Sequence, residues 1–168
     1  MTLKASIVLE MSAHAASIDQ LQQSEFGPGA FTRAAFRLRE QGPHDLALSF
    51  VAVVDGALIG SVRLTPVATG SGHQGYLLGP LVVSGAWRNA GYGRALVDVG
   101  VQAAEAKGQG AYVILVGDAP YYGPLGFGVV TPGAVQLPGP VDPRRLLVRA
   151  LGGFDPGMLA GPMRYDRR

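Results

Sequence analysis

One β-type run in this chain cannot pair along its whole length. Residues Tyr76 to Val83 read Tyr-Leu-Leu-Gly-Pro-Leu-Val-Val, an apolar strand with Gly79-Pro80 at its centre. Proline brings no backbone donor to a ladder and glycine packs no side chain, so this strand is expected to bulge or splay mid-way. Any sheet that contains it must open there. The same two residue types punctuate the rest of the chain: 25 glycines and 12 prolines among 168 residues separate many short elements. With 48% hydrophobic composition the length suits one domain with a sizeable core, spanning residues 1–168.

The elements follow from periodicity and punctuation. Ser6 to Leu9 reads as an opening strand, and Ser12 as the cap of a helix that lines one face with Ala16 and Leu21 and ends at Phe26-Gly27-Pro28-Gly29. A second helix is expected to turn Phe31, Ala35 and Leu38 inward and Arg33, Arg37 and Arg39 outward, stopping at Gln41-Gly42-Pro43. Leu48 to Val54 and Leu58 to Val67 flank Asp55-Gly56, a strong signal for an antiparallel hairpin. Thr69 to Gly72 is a loop. A helix from about Gly91 to Lys107 is expected to bury Leu96, Val99, Ala103 and Ala106 and to end at Gly108. Strands are expected at Tyr112 to Val116, Phe127 to Val130, Leu146 to Ala150 and Met163 to Tyr165, with Tyr121-Tyr122 in a short helical turn. This order gives an α/β (α+β) mixed sheet without repeats.

Composition narrows the function classes. There is no cysteine, and His14, His44 and His73 lie far apart in sequence, so no metal is expected. The formal net charge is +2, and its surplus is local: residues 142–168 hold six arginines against three aspartates. Nucleic-acid binding would rest on those arginines alone, and Arg144, Arg145, Arg167 and Arg168 are instead expected to be a solvated surface. Lys4 is followed by only five residues, Ala5 to Leu9, before Glu10 interrupts them, and no run approaches the roughly 20 apolar residues of a membrane span. A soluble, cytoplasmic protein with no membrane partner is expected.

The chemistry concentrates after the Gly-Pro strand. Leu81-Val82-Val83 is followed by Arg88-Asn89-Ala90-Gly91-Tyr92-Gly93-Arg94, which puts a strand, a basic glycine loop and a helix start in succession. Unpaired N–H groups of a first helical turn, aided by the helix dipole, bind anions, and glycines let a pyrophosphate reach the main chain. Read alone, the loop serves equally well as a tightly packed helix start. Walker A is absent, and the Rossmann fingerprint needs a glycine where Leu96 stands.

Arg88-x-x-Gly91-x-Gly93 resembles the acetyl-coenzyme A signature of the GCN5-related N-acetyltransferase (GNAT) superfamily. The resemblance continues downstream, where Tyr121-Tyr122-Gly123-Pro124-Leu125-Gly126-Phe127 is similar to the family's tyrosine four residues before a Gly-Phe pair. Upstream, the Asp55-Gly56 hairpin, Gly60 and Gly79-Pro80-Leu81 are similar to a bacterial branch with a Gly-Pro-Leu strand. Together these cover about Ser6 to Val130.

The resemblance implies a mostly antiparallel mixed sheet, flanked by helices and splayed at a bulge in the fourth strand. It implies acetyl-CoA as cosubstrate and an amine-bearing acceptor, a small molecule or a protein amine. The cofactor-binding residues would be Leu81, Val82 and Val83 for the pantetheine arm and Arg88, Asn89, Ala90, Gly91, Tyr92, Gly93 and Arg94 for the pyrophosphate, with Tyr122 at the thioester. Tyr122 would protonate the departing thiolate; without the resemblance it reads as a core aromatic beside Phe127. Tyr121 would pack or line the acceptor pocket, and Trp87 would pack beneath the loop. Many relatives carry a glutamate on the fourth strand as general base, and Tyr76 to Val83 has no carboxylate. Glu25, placed in the loop between the first two helices, Asp118 and His73 are the candidates, with bulk water as the alternative. A non-catalytic acyl-CoA-binding module is the alternative function, and either a monomer or a homodimer is compatible.

Overall fold

The computed structural model describes residues 4–27 and 34–168. Pro28, Gly29, Phe31 and Arg33, assigned above to a helix end and a helix face, lie outside the described residues. The strands are β1 (Ser6–Leu9), β2 (Phe50–Val54), β3 (Ala57–Ala68), β4 (Gln74–Val83), β5 (Tyr112–Val116), β6 (Gly128–Val129), β7 (Val135–Gln136), β8 (Leu146–Ala150), β9 (Gly161–Pro162) and β10 (Arg164–Tyr165). The helices are α1 (Ala15–Phe26), α2 (Ala34–Arg39), α3 (Tyr92–Lys107) and α4 (Ala119–Tyr122). Eight strands form one sheet in the order β1-β2-β3-β4-β5-β8-β6, with β10 beside β3. Only the β4–β5 pairing in it is parallel.

The hairpin forms where expected, with Val54 opposite Ala57 and with Asp55 and Gly56 at φ +48° and +79°. Both turn residues are left-handed, as a two-residue hairpin that follows the strand twist demands. The strand alternation then sorts the core. Val62, Leu64, Tyr76, Leu78, Val113 and Leu115 pack with α3, while Val67, Leu77, Tyr112 and Ile114 face the opposite side with Leu38, Leu159 and Met163.

Two helix faces differ from expectation. α3 buries Leu96, Val97, Gly100, Val101 and Ala104 rather than Val99, Ala103 and Ala106. Leu96 fits both stripes; Gly100 decides between them, because its missing side chain lets the helix approach Leu64, whose methyl lies 3.1 Å from where a Cβ would stand. In α1 only Ile18 is buried, Ala16 is exposed, and Ser12 opens a short 3-10 turn whose cap is Met11, so Ser12 does not cap the helix. The amide of Met11 instead donates to Nδ1 of His14 at 3.0 Å.

The chain end is also not a free basic surface. Arg168 donates to the carbonyls of Gln109 (2.8 Å) and Gly75 (2.6 Å) and lies over the Tyr76 ring at 4.6 Å. These contacts lock the chain end over the start of β4. Gly75 has no room there for a side chain, since a Cβ would stand 2.6 Å from both the Tyr112 ring and the Tyr112 carbonyl oxygen. Backbone cannot yield as a flexible side chain does, so Gly75→Ala should cost about 1–3 kcal/mol in chemical denaturation. Gly128→Ala, with nothing within 4 Å of its Cβ position, should stay within roughly 0.5 kcal/mol of the parent. Equal midpoints for the two variants would contradict this packing.

Candidate active site

The site begins where one ladder stops. β4 and β5 pair only at Tyr76↔Val113 and Leu77↔Ile114. Beyond these pairs β4 runs on with β3, and β5 runs on with β8. In the β3–β4 register Leu64 faces Leu78 and Val62 faces Leu81, so Gly79 and Pro80 together stand opposite the single residue Arg63. This is the bulge expected from the Gly-Pro pair. Gly79 has φ +126°, a conformation that disfavours any side chain.

Past the bulge, β4 presents main-chain groups to the gap. The Ser84 amide donates to the Ile59 carbonyl on β3 at 2.7 Å. By alternation the polar backbone groups of Val82 also face β3, and those of Leu81 and Val83 face away, toward the opening. Val82 is buried while Leu81 and Val83 are half-buried.

The loop that leaves β4 returns to an open helix end. Gly91 is the N-cap of α3 at φ +88°, with no side-chain cap, and Asn89 is also left-handed at φ +62°. The Ala95 amide donates to the Gly91 carbonyl, so the amides of Tyr92, Gly93 and Arg94 precede the first full helical bond. No atom stands within 4 Å of a Cβ built on Gly91, which leaves space at the helix end for a ligand. Trp87 packs under this loop against the α3 side of the core and meets Tyr92 edge-on at 5.9 Å.

A cavity of about 920 Å³ occupies the opening. Its floor is Leu78 to Leu81 of β4 with Arg63 and Thr65 of β3, and its walls are α1, α2 and residues 116–118 at the end of β5. Tyr121 and Tyr122 close one end. Tyr122 stands edge-on to Phe127 at 5.8 Å and to Tyr121 at 4.8 Å, and its ring covers Gly117, where a side chain would collide. Burial pushes its phenol up to about 12, aided by Tyr121 and Asp118 and opposed by Arg145. It therefore keeps its proton at neutral pH. The Tyr121 hydroxyl reaches within 2.5 Å of a Cβ position on Gly93, beneath Arg94 at 5.7 Å from its ring. Burial raises its phenol too, with Arg94 opposing.

The structure separates the base candidates. Glu25 lies in the last turn of α1 rather than in the loop after it, where its carboxylate accepts from the Gly85 amide at 3.0 Å and from the Arg88 guanidinium. Asp118 lines the cavity, with its side chain 75% exposed and Arg145 at 3.3 Å. His73 does not line it; its Nδ1 meets the Ser71 hydroxyl at 2.9 Å and its ring meets Phe154 at 5.1 Å. Arg145 is likewise a wall residue and not merely solvated.

Several cavity residues carry no local signal in the sequence. Arg39 does not point outward with Arg37: a guanidinium nitrogen lies 2.5 Å from a Cβ position on Gly79. His44, Arg63 and the buried Glu10 meet from three separate stretches of chain. Glu10 accepts from Nη2 of Arg63 at 2.8 Å and from Nε2 of His44 at 3.1 Å. Burial by itself would raise the Glu10 carboxyl, but the hydrogen bonds from His44 and Arg63 and their charge outweigh it and lower it to about 2. The alternation Val62-Arg63-Leu64-Thr65 was the only hint, since it sets two polar residues on one strand face. On α1, Gln22 lines the cavity with a buried Nε2 that has no hydrogen-bond partner among the described residues.

Comparison with known proteins agrees with this geometry. No curated protein sequence matches the chain. A GNAT family N-acetyltransferase (YhbS) from Escherichia coli, solved in complex with CoA, is 28% identical and superposes with a TM-score of 0.82 over 99% of this chain and 92% of that one. A GNAT family acetyltransferase from Brucella melitensis, solved in complex with acetyl-CoA, is 26% identical with a TM-score of 0.71, covering 98% and 97% of the two chains. The family model for the acetyltransferase (GNAT) family matches residues 15–127, a span that holds the bulged strand, the glycine loop and both tyrosines, and the chain belongs to that family.

Proposed function

We propose that the chain transfers an acetyl group from acetyl-CoA to a primary amine by direct attack, without a covalent enzyme intermediate. The observation that carries this reading is the break in the β4–β5 ladder beside the uncapped end of α3. The gap suits an extended pantetheine arm, which would bond the outward backbone groups of Leu81 and Val83 like an added strand, with Val82 anchoring the wall. The pyrophosphate would rest on the loop from Arg88 through Asn89, Ala90 and Gly91 to Tyr92, Gly93 and Arg94. Glu25 supports that loop by holding Arg88, which is a different task from proton abstraction. The CoA- and acetyl-CoA-bound relatives support the same assignment.

In that pose the gap-facing amide of Leu81 polarises the thioester carbonyl and stabilises the oxyanion that forms on attack. Tyr122 stands across the opening and gives its proton to the thiolate as the carbon–sulfur bond breaks. Asp118, paired with Arg145 at the cavity mouth, is suited to attract an ammonium group. We place the reaction in the cytoplasm.

Gly91→Glu should abolish acetyl-CoA binding in calorimetry, because a side chain and a negative charge would both enter the phosphate position. Unchanged affinity would contradict the loop assignment. Tyr122→Phe removes one hydroxyl and keeps the ring packing, so acetyl-CoA affinity should persist while turnover falls about tenfold to a thousandfold. Tyr121→Phe should lose much less. Thiol release from acetyl-CoA with primary amines reads both; a reversed order of the two would move the proton donor by one residue, and binding with no turnover in any variant would favour a non-catalytic acyl-CoA-binding module.

A further inference from the structure

We propose that His44, oriented by the buried carboxylate of Glu10, is the base that accepts the acceptor amine's proton; the inference rests on the transferase reading above. His44 lines the same cavity as Gly79, Leu81 and Tyr122, and its side chain is 25% exposed. The Glu10 side chain is 2% exposed, and the hydrogen bonds from His44 and from Arg63, whose Nε and Nη2 both donate to it, hold it ionised. An ionised carboxylate only accepts, so the 3.1 Å contact requires the proton to sit on Nε2 of His44. The neutral ring then keeps its lone pair on Nδ1, which has no hydrogen-bond partner among the described residues. Arg63 alone would neutralise Glu10. The second donor makes this a carboxylate–imidazole pair, the arrangement that fixes a tautomer and stabilises an imidazolium once it forms.

Two further observations place and steady the ring. Arg63 stands opposite the Gly79-Pro80 bulge, so the cluster flanks the point where the ladder opens. The turn that carries His44 is pinned on both sides: the Tyr165 hydroxyl donates to the Pro43 carbonyl at 2.9 Å, and the Asp45 amide donates to the Leu64 carbonyl at 2.8 Å. An imidazole with one nitrogen held by a carboxylate and the other without a partner suits proton abstraction better than a carboxylate paired with arginine.

The step balances. The amine nitrogen bonds to the thioester carbonyl carbon, and the resulting ammonium passes one proton to Nδ1 of His44, directly or through one water. The carbon–sulfur bond then breaks with its electron pair on sulfur, which takes the Tyr122 proton. His44 then releases its proton to solvent and Tyr122 regains one from solvent, which restores both residues and leaves an amide and the CoA thiol. The charged and titratable groups on the elements around His44 are Glu10, Arg63 on β3, Arg39 and Glu40 at the end of α2, Asp19 on α1, Tyr165 on β10 and Asp45, whose carboxylate is taken by Lys107 at 2.5 Å.

The test measures thiol release from acetyl-CoA with water, ethanolamine and lysine as acceptors, beside acetyl-CoA affinity by calorimetry. His44→Ala should keep its affinity, lose about tenfold to a thousandfold in turnover, and regain activity in proportion to added imidazole, which should not accelerate the parent. Glu10→Gln should move the acidic limb of the pH–rate profile to lower pH, because the imidazolium loses its counter-charge. If Glu10→Gln does not fold, the imidazole rescue still decides. Turnover unchanged in His44→Ala, or lost without rescue, overturns the proposal and leaves the transferase reading standing. A parent protein that fails to bind acetyl-CoA overturns that reading instead, and a parent that binds it but releases no thiol overturns both.

Discussion

The β4–β5 ladder ends after Leu77 and Ile114, and the rest of the site depends on that ending. Gly79 and Pro80 against the single Arg63 shift the register, so β4 keeps its partner on one side and loses it on the other. An unpaired strand edge inside a protein leaves donors and acceptors that require partners. Here those groups belong to Leu81 and Val83, and they border a cavity rather than packed side chains. The same opening lets α3 begin beside the end of β4, which brings an uncapped helix end into line with the gap.

Charge is distributed around the opening in compensated groups. Glu10 with Arg63 and His44, Glu25 with Arg88, and Asp118 with Arg145 each bring an acid and a base within hydrogen-bonding or ion-pairing reach. The pairs differ in burial, and that decides what each can do. The Glu10 group is shielded from water, so its hydrogen bonds outweigh desolvation and its carboxyl is lowered to about 2. The Asp118 pair is exposed and screened, and contributes little to stability. Tyr122 is moved the other way: without a cation close enough to offset burial, its phenol rises to about 12 and keeps its proton at neutral pH.

Local rules carried much of this. The Asp55-Gly56 hairpin, the Gly79-Pro80 bulge, the helix start after Gly91 and the tyrosine before Gly126-Phe127 each depend on a few adjacent residues, and each stands where the sequence placed it. What failed depends on residues distant in sequence. The α3 stripe differs from the apolar pattern because Gly100, which lies against Leu64 of β3, carries no apolar signal. Arg168 is held by the carbonyls of Gly75 and Gln109, which lie far from it in sequence and give no local signal. The Glu10, His44 and Arg63 cluster joins three segments with no shared motif, and the partners that occupy Glu25, Gly85 and Arg88, lie far downstream of it in the chain.

The central claim is that the CoA arm completes the broken ladder as a surrogate strand. Residue-resolved amide hydrogen exchange, followed by NMR with and without saturating CoA, tests it directly. The account predicts that the amides of Leu81 and Val83 become protected together with those of Tyr92, Gly93 and Arg94, while Val82, already directed at β3, changes little. Protection confined to other surfaces, or a change at Val82 without one at Leu81 and Val83, would contradict it.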